Sequence, residues 1–253
     1  MRSSVAVVSL LLAVIATPSA QAKTAPGVGA LLSVVPGLGQ AVNGEVVEGL
    51  GWFAAVATSF AFASSTNQLT TQVGFSLWAY NIYDSYRDLK PKNKMYTGNS
   101  VFIDTLGILN PLNLIDPIGG PIVGIAGVAG ARTGFSGIFQ LNRAIRYTFV
   151  GLGEEGLYRG FLFPGLSDVF GSRFLGALFS SALFGLSHTQ YGGVGRFTVG
   201  FLGLLWCWES SNHDYDHRGN MFSHAWYDFF LPPTALGREE AIPIPGIRFG
   251  FRF

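Results

Sequence analysis

Apolar segments recur along the chain with few charged residues between them. Only 12% of the 253 residues are charged, about half the usual fraction for a soluble domain. So few charges cannot cover the surface of a water-soluble globule, and a lipid bilayer is therefore the expected solvent. The segments are Gly49 to Ser64, Val73 to Tyr83, Ile118 to Ala131, Gly134 to Gly151, Phe174 to Leu186, Phe197 to Trp208 and Met221 to Leu231.

The pattern within these segments predicts helices. A transmembrane barrel strand alternates polar and apolar residues over about 10 positions, and the chain does not sustain that alternation. With their flanks, several segments approach the roughly 20 residues that a membrane helix needs. The expected fold class is all-α, a polytopic membrane helical bundle with about six transmembrane helices, in a range of roughly five to eight. The expected location is multi-pass in the cell membrane of a bacterial-type envelope.

The chain begins with the three parts of a secretory signal peptide. Arg2 supplies the positive start, an apolar run follows from Val5 to Ala16, and a small-residue triplet ends at Ala22. We expect residues 1–22 to be a cleaved signal peptide, with an uncleaved first membrane span as the alternative. We then expect N-terminal membrane helices and a basic loop over 23–99, a core over 100–232 and a tail over 233–253. The stretch from Asp84 to Asn99 is interpreted as a polar linker.

Charge and cysteine content exclude several classes of function. The formal net charge of +1 provides no basic field for nucleic acid. Cys207 is the sole cysteine, which excludes an intramolecular disulfide, a CxxC redox pair and a cysteine-based zinc site. The expected partners therefore include the lipid bilayer and no nucleic acid.

Three short clusters of ionisable residues lie in otherwise apolar surroundings. On a helix, Glu155 and Arg159 are four positions apart and can pair, while Glu154 points about 100 degrees away and is left to act as a base. His188 ends a second apolar segment. In a third segment, His224 and Asp228 are again four positions apart. Taken singly, each cluster also fits a structural role: a salt bridge, a hydrogen-bonded core histidine or an interfacial pair.

Taken together, the three clusters predict one site. Each lies on a different apolar segment, and an ionisable group facing lipid would be costly. In a helical bundle they can converge on one point. A carboxylate and an imidazole can activate a water molecule, and a second imidazole can stabilise the oxyanion of a tetrahedral intermediate. This is the equipment for amide hydrolysis.

The order of these residues resembles a known family. Glu154-Glu155-x-x-x-Arg159, Phe184-x-x-x-His188 and His224-x-x-x-Asp228 are similar to the EExxxR, FxxxH and HxxxN/D motifs of the CPBP (Abi, CAAX-protease-like) intramembrane endopeptidases. The resemblance covers about Gly134 to Leu231. It implies a protease in which Glu154 and His188 activate water, His224 and Asp228 form the oxyanion site or complete a metal site, and Glu155 and Arg159 support them.

The resemblance leaves two questions open. The family has been described as metalloproteases, so His188, His224 and Glu154 are candidate Zn²⁺ ligands. By this resemblance we interpret the chain as a metalloprotease, and a metal-free mechanism with Glu154 as the base stays open as the alternative. The prenyl-protein branch has asparagine at the position of Asp228, where an ionised aspartate would repel an oxyanion. Asp228 is then protonated, binds a metal or orients His224.

Two further clusters are given structural interpretations. Asn212 to Arg218 contains a second histidine pair and two aspartates, and its dense polarity favours a solvated loop. Trp206 and Trp208 are interpreted as an interfacial aromatic belt. Our functional prediction is an intramembrane endopeptidase that cuts a membrane-associated protein or peptide. The alternative is a non-catalytic membrane protein, a transporter or assembly factor, that uses the same residues to bind a proton or ion. A prenylated CAAX substrate is not expected for a chain that looks bacterial.

Overall fold

The structure, a computed structural model, describes residues 24–63, 68–90, 101–132 and 141–231. The predicted signal peptide at 1–22 and the predicted tail at 233–253 lie outside these residues. So does most of the predicted basic loop.

The described residues fold into helices, and no β-strand occurs among them. The first four are α1 (Pro26–Leu32), α2 (Leu38–Val42), α3 (Val46–Ala61) and α4 (Gln68–Leu89). They are followed by α5 (Val101–Ile108), a 3₁₀ turn (Pro111–Ile115), α6 (Gly119–Arg132) and α7 (Leu141–Glu155). A π-helical segment (Gly156–Leu162) leads into α8 (Phe163–Phe170), and then come α9 (Arg173–Ser187), α10 (Gly193–Asn212) and α11 (Arg218–Phe230). The prediction of an all-α fold is confirmed.

The predicted number of membrane helices is not confirmed. Within residues 24–63, 68–90, 101–132 and 141–231, no helix combines the length and the apolar character needed to cross a membrane.

Local sequence signals define the ends of two helices. The Ser172 side chain accepts a hydrogen bond from Leu175 N at the start of α9. Gly171, which ends α8, has a φ of 60°, a conformation that favours glycine.

Two close contacts between helices position Glu154 and His188. Helix α7 packs against α4 and α11, and α9 packs against α10. A Cβ atom at Gly153 would lie 2.5 Å from the Ser76 carbonyl oxygen of α4. A Cβ at Gly185 would lie equally close, 2.5 Å, to the Arg196 carbonyl oxygen of α10. Glycine at both positions therefore allows the backbones that precede Glu154 and His188 to approach their neighbours.

The expected polar linker begins later than predicted. Helix α4 continues to Leu89, and Asp84 and Arg87 within it are 2% and 6% exposed. The prediction of a linker starting at Asp84 is therefore wrong. The physical reason is that Arg87 forms ion pairs with Asp84 and Asp104, which lets these charged groups be buried.

Candidate active site

Helix α7 ends with the adjacent carboxylates Glu154 and Glu155, whose side chains have different environments. The Glu155 side chain is fully buried, and its Oε1 accepts hydrogen bonds from Arg159 Nη1 at 3.1 Å and from His224 Nδ1 at 2.7 Å. The π-helical segment starts directly after Glu155 and includes Arg159. Such segments inside helices are frequent at functional sites because they change the direction of the side chains that follow. Glu155 therefore links α7 to α11.

Glu154 leaves one oxygen atom free for a ligand. Its side chain is 26% exposed, but Oε2 is buried and has no hydrogen-bond partner among the described residues. Oε2 lies 3.6 Å from His188 Nε2 and 3.7 Å from His224 Nε2. These distances exceed those of direct hydrogen bonds, and a water molecule can bridge polar groups at such separations.

The protonation of His188 follows from its second ring nitrogen. Nδ1 lies 2.7 Å from the Phe184 carbonyl oxygen, one turn earlier on α9. A carbonyl oxygen only accepts hydrogen bonds, so Nδ1 carries the proton. In the neutral ring Nε2 is then an acceptor, and it faces Glu154 Oε2. The sequence spacing FxxxH thus has a structural purpose, because Phe184 supplies the carbonyl that orients the imidazole.

His224 lies among three carboxyl groups. Its Nδ1 contacts Glu155, while its Nε2 lies 3.7 Å from Glu154 Oε2 and 3.6 Å from Asp228 Oδ2. The ring itself is almost fully buried. Negative charge on several sides of one imidazole favours its doubly protonated form. In that form Nε2 becomes a hydrogen-bond donor, and Asp228 faces a positive partner.

Aromatic rings hold both imidazoles in place, and sequence reasoning missed this. Trp206 stacks on His224 with ring centroids 4.6 Å apart and an interplanar angle of 18°, and it is 1% exposed. The interpretation of Trp206 as part of an interfacial belt is therefore wrong, whereas Trp208 is 61% exposed. Tyr191 stacks on His188 at 5.9 Å and 5°. Tyr191 could have been found from the sequence, because it lies three residues after His188. Trp206 could not, because it lies on α10, which carries no motif.

Arg159 is completely buried and contacts groups other than its ion-pair partner. Its guanidinium carbon lies 4.3 Å from the centroid of the Phe184 ring and 5.2 Å from that of Trp206. Such cation–π contacts compensate in part for the loss of hydration. Arg159 therefore connects the Glu155 carboxylate to the two aromatic rings that pack around the histidines.

The suggested zinc ligands form an open set. Ligands that share a tetrahedral zinc ion at 2.0–2.1 Å lie roughly 3.3–3.4 Å from one another. Two separations among Glu154, His188 and His224 are close to this, but the three ligand atoms do not all lie within 4.8 Å of each other. The arrangement in this structure does not fit one ion held by all three groups.

One comparison with known proteins, with models of protein families, gave a match. Residues 139–230 match the model of the family described as type II CAAX prenyl endopeptidase Rce1-like. Over these residues the chain is similar to the CAAX-protease-like family, and the resemblance that the three motifs predicted is confirmed. The match includes all four predicted catalytic residues, although it does not test their roles. Neither the curated proteins nor the solved structures gave a match to the chain.

The family match supports a protease function of the CAAX type. The metalloprotease detail and the substrate go beyond that match.

Proposed function

We propose that the protein is a membrane-associated endopeptidase in which Glu154 activates the water that attacks a peptide bond. One observation carries this proposal: the buried, unpartnered Oε2 of Glu154 lies between the Nε2 atoms of His188 and His224. A buried carboxylate oxygen without a partner is costly in a purely structural site. It is useful where a water molecule must be bound and deprotonated.

In the first chemical step, Glu154 acts as the general base and His188 accepts a hydrogen bond from the water molecule. A water between Glu154 and His188 donates one hydrogen to Glu154 Oε2 and the other to His188 Nε2. Glu154 takes the proton as the water oxygen bonds to the carbonyl carbon of the substrate. His188 keeps its orientation through Phe184 and acts by holding the water. The proton on Glu154 is then available for the leaving amine.

His224 supplies the stabilising charge. As an imidazolium, it can donate its Nε2 hydrogen to the oxyanion of the tetrahedral intermediate. Glu155, paired with Arg159, keeps Nδ1 of His224 protonated and fixes the ring. Asp228 faces Nε2 from the other side, and we infer that it orients His224 and has no need to be protonated. No step in this scheme requires a metal ion.

The substrate side of the proposal is a membrane-associated protein or peptide. Many large apolar side chains are exposed on the surfaces of the helices next to the site, which favours contact with lipid or an apolar segment. They include Phe174, Leu183 and Leu186 on α9 and Val194, Phe197 and Phe201 on α10. On this basis and on the family match, we propose that the protein is a multi-pass protein of the cell membrane.

The test uses detergent-purified protein and a peptide panel. The panel contains peptides from membrane segments and a farnesylated peptide ending in a CAAX sequence, each incubated with and without a chelator. Wild type should cleave at least one peptide. Glu154→Gln should reduce turnover by about 10³-fold, within the range of general-base catalysis. Asp168→Asn, whose side chain is 65% exposed on α8, is the matched control and should retain activity.

Each outcome has a defined meaning. Equal cleavage by wild type and Glu154→Gln would contradict the assignment of the base. Loss of cleavage with chelator, restored by zinc, would replace the metal-free step with a zinc-dependent one. Cleavage of the farnesylated peptide alone would overturn our expectation about the substrate. If liposomes containing the protein transported ions while no peptide was cut, the alternative of a carrier would take precedence.

A further inference from the structure

A second polar cavity lies away from the residues of the proposed mechanism. Its volume is about 560 Å³, and none of the four predicted catalytic residues lines it. It lies between α5, the end of α10 and the start of α11, and its wall includes the apolar side chains of Ile103 and Leu106 on α5. The ionisable lining residues are Asp116, Glu209, His213, Asp216 and Arg218.

Glu209 is the buried acidic group of this cavity. It is 2% exposed, and its Oε2 has no hydrogen-bond partner among the described residues. A Cβ atom at Gly219, which also lines the cavity, would lie 2.7 Å from Glu209 Oε1, so glycine leaves room for the carboxylate. A buried carboxylate is costly unless a cation pairs with it. Glu209 therefore indicates a positively charged ligand.

Asp116 supplies a second carboxylate, three positions before the start of α6. Its Oδ1 accepts hydrogen bonds from the backbone N–H groups of Ile118 and Gly119 at 2.8 and 2.7 Å. Its Oδ2 lies 3.5 Å from His213 Nε2, which is longer than a direct hydrogen bond. One oxygen of Asp116 thus fixes the side chain, while the other is available to a ligand.

The arginine of the cavity is already paired. Arg218 Nε donates to both Asp216 oxygens, at 2.9 and 3.0 Å. Neither Asp116 nor Glu209 forms an ion pair with a lysine or arginine in the part of the chain that the structure describes. The charge of Arg218 is therefore balanced by Asp216, and the cavity presents two further carboxylates to a ligand.

The spacing of these groups does not fit one metal ion and favours a larger cation. The ligand atoms of Asp116, His213 and Glu209 do not all lie within 4.8 Å of one another. A guanidinium group carries five N–H donors in one plane, so it can contact acceptors that are too far apart to share an ion. An arginine side chain also has an aliphatic stem, which can pack against the half-exposed Ile103 and Leu106.

We propose that this cavity binds an arginine side chain of a peptide or protein partner, with the guanidinium next to Glu209 and Asp116. The aliphatic stem lies along Ile103 and Leu106. The amine headgroup of a phospholipid fits less well, because its phosphate would lie beside the same carboxylates and be repelled by them. The proposal does not depend on the peptidase assignment, since it concerns binding and not cleavage.

The structure also corrects the interpretation of the loop after α10. A fully solvated loop was expected from Asn212 to Arg218, but His217 is 4% exposed, and its ring packs against Tyr83 with centroids 4.8 Å apart. His213 lies at the cavity instead, with its side chain 56% exposed. The histidine pair is therefore split between the core and the cavity.

The test measures peptide binding by the full chain in detergent. The Glu154→Gln variant is the starting protein, so the peptides stay intact whether or not the wild type cleaves them. The probes are amidated pentapeptides with a neutral fluorophore at the N-terminus and arginine, lysine or citrulline between alanines. Citrulline has nearly the shape of arginine but no charge. Fluorescence anisotropy should show that the arginine peptide binds about tenfold more tightly than the citrulline peptide, with the lysine peptide in between.

Variants of the starting protein locate the binding site. Glu209→Gln and Asp116→Asn each remove one negative charge and keep an oxygen atom, so both variants should fold with an unchanged unfolding midpoint. Each should weaken binding of the arginine peptide about tenfold and leave binding of the citrulline peptide unchanged. Asp214→Asn is the matched control, because it makes the same charge change in the same loop but does not line the cavity. Asp214 has a φ of 53°, which asparagine tolerates.

Three results would overturn the proposal. The first is that the citrulline or lysine peptide binds as tightly as the arginine peptide, or that the arginine peptide does not bind. The second is that Glu209→Gln and Asp116→Asn bind the arginine peptide as tightly as Asp214→Asn does. The third is that phosphatidylethanolamine added to the micelles displaces the arginine peptide, which would make an amine headgroup the ligand. A failure of the wild type to cleave any peptide would leave these binding results unaffected.

Discussion

Two buried clusters of charged side chains lie in different parts of this molecule. In the first, Arg87 donates Nη1 hydrogen bonds to the Tyr80 hydroxyl at 3.1 Å and to Asp104 Oδ2 at 3.2 Å, and it also pairs with Asp84. Asp84 Oδ2 accepts a further bond from Trp52 Nε1 at 2.9 Å. The oxygens of Asp84 and Asp104 that contact Arg87 are therefore hydrogen-bonded. The cluster ties α3, α4 and α5 together.

The second cluster, at the end of α7, has the same kinds of groups but is left incomplete. Glu155 Oε1 is bonded to Arg159 and His224, while its Oε2 is buried and has no hydrogen-bond partner among the described residues. Its neighbour Glu154 has a buried oxygen with no partner among the described residues. A satisfied network makes a core rigid and specific, whereas an unsatisfied group costs stability unless a ligand binds to it. The comparison separates a cluster that stabilises the fold from one that is equipped for chemistry.

The largest effect on stability is expected from Arg87→Met. This change leaves Asp84 and Asp104 buried without their shared cation, which costs about 3–5 kcal/mol of unfolding free energy. The measurement is thermal or denaturant unfolding in detergent. Arg132→Met, an exposed arginine at the end of α6, is the control and should unfold like wild type. An unchanged midpoint for Arg87→Met would mean that the first cluster does not stabilise the fold.

Glu155→Gln is expected to affect both stability and turnover. The amide keeps the shape but removes the charge that faces Arg159 and His224, so about 2–3 kcal/mol of stability should be lost. Turnover should fall as well, because His224 loses the group that keeps it charged. The neighbouring Glu154→Gln should lower turnover without lowering the unfolding midpoint. If the two variants behaved alike, the distinction between a held and a free carboxylate would fail.

Trp52→Phe tests how much one donor contributes to the complete cluster. Phenylalanine keeps the ring packing but removes the hydrogen bond to Asp84, and we expect a loss of about 1–2 kcal/mol. Asp84 retains its contacts with Arg87 and Gln40, so the effect should be smaller than that of Arg87→Met. Trp208→Phe, at an exposed tryptophan, is the paired control in the same unfolding assay. A loss equal to that of Arg87→Met would show that the cluster fails as a unit.

The two clusters also differ in how far the sequence could predict them. Glu154, His188 and His224 stand out because each is an ionisable residue in an apolar segment, at spacings that match known motifs. The resemblance to the family is confirmed over residues 139–230 for this reason. For Asp84 and Arg87 the sequence predicted an exposed position, because a charged stretch next to Lys90 and other cations is typical of a solvated linker. Their burial depends on Asp104, which lies on another helix.

Other features of the site depend on tertiary contacts that no local pattern encodes. The π-helical segment after Glu155 and the stacking of Trp206 on His224 arise from packing between helices. The facing of Asp116 and His213 joins residues almost a hundred positions apart. The predicted membrane-helix count assumed that flanking residues extend apolar segments shorter than a full span, and no helix of the described residues combines the required length and apolar character.

Asp228→Asn should have the smallest effect, and it addresses the departure from the asparagine of the prenyl-protein branch. An asparagine oxygen can still face His224 Nε2, where Asp228 Oδ2 now lies at 3.6 Å. If Asp228 only orients the imidazole, turnover should change by less than about tenfold, equivalent to about 1.4 kcal/mol in the barrier. The measurement is turnover of the peptide cleaved by wild type, with Glu154→Gln as the reference for full loss. If Asp228→Asn lowered turnover as far as Glu154→Gln does, Asp228 would also act as a base. The free oxygen of Glu154 would then no longer be the feature that distinguishes the second cluster from the first.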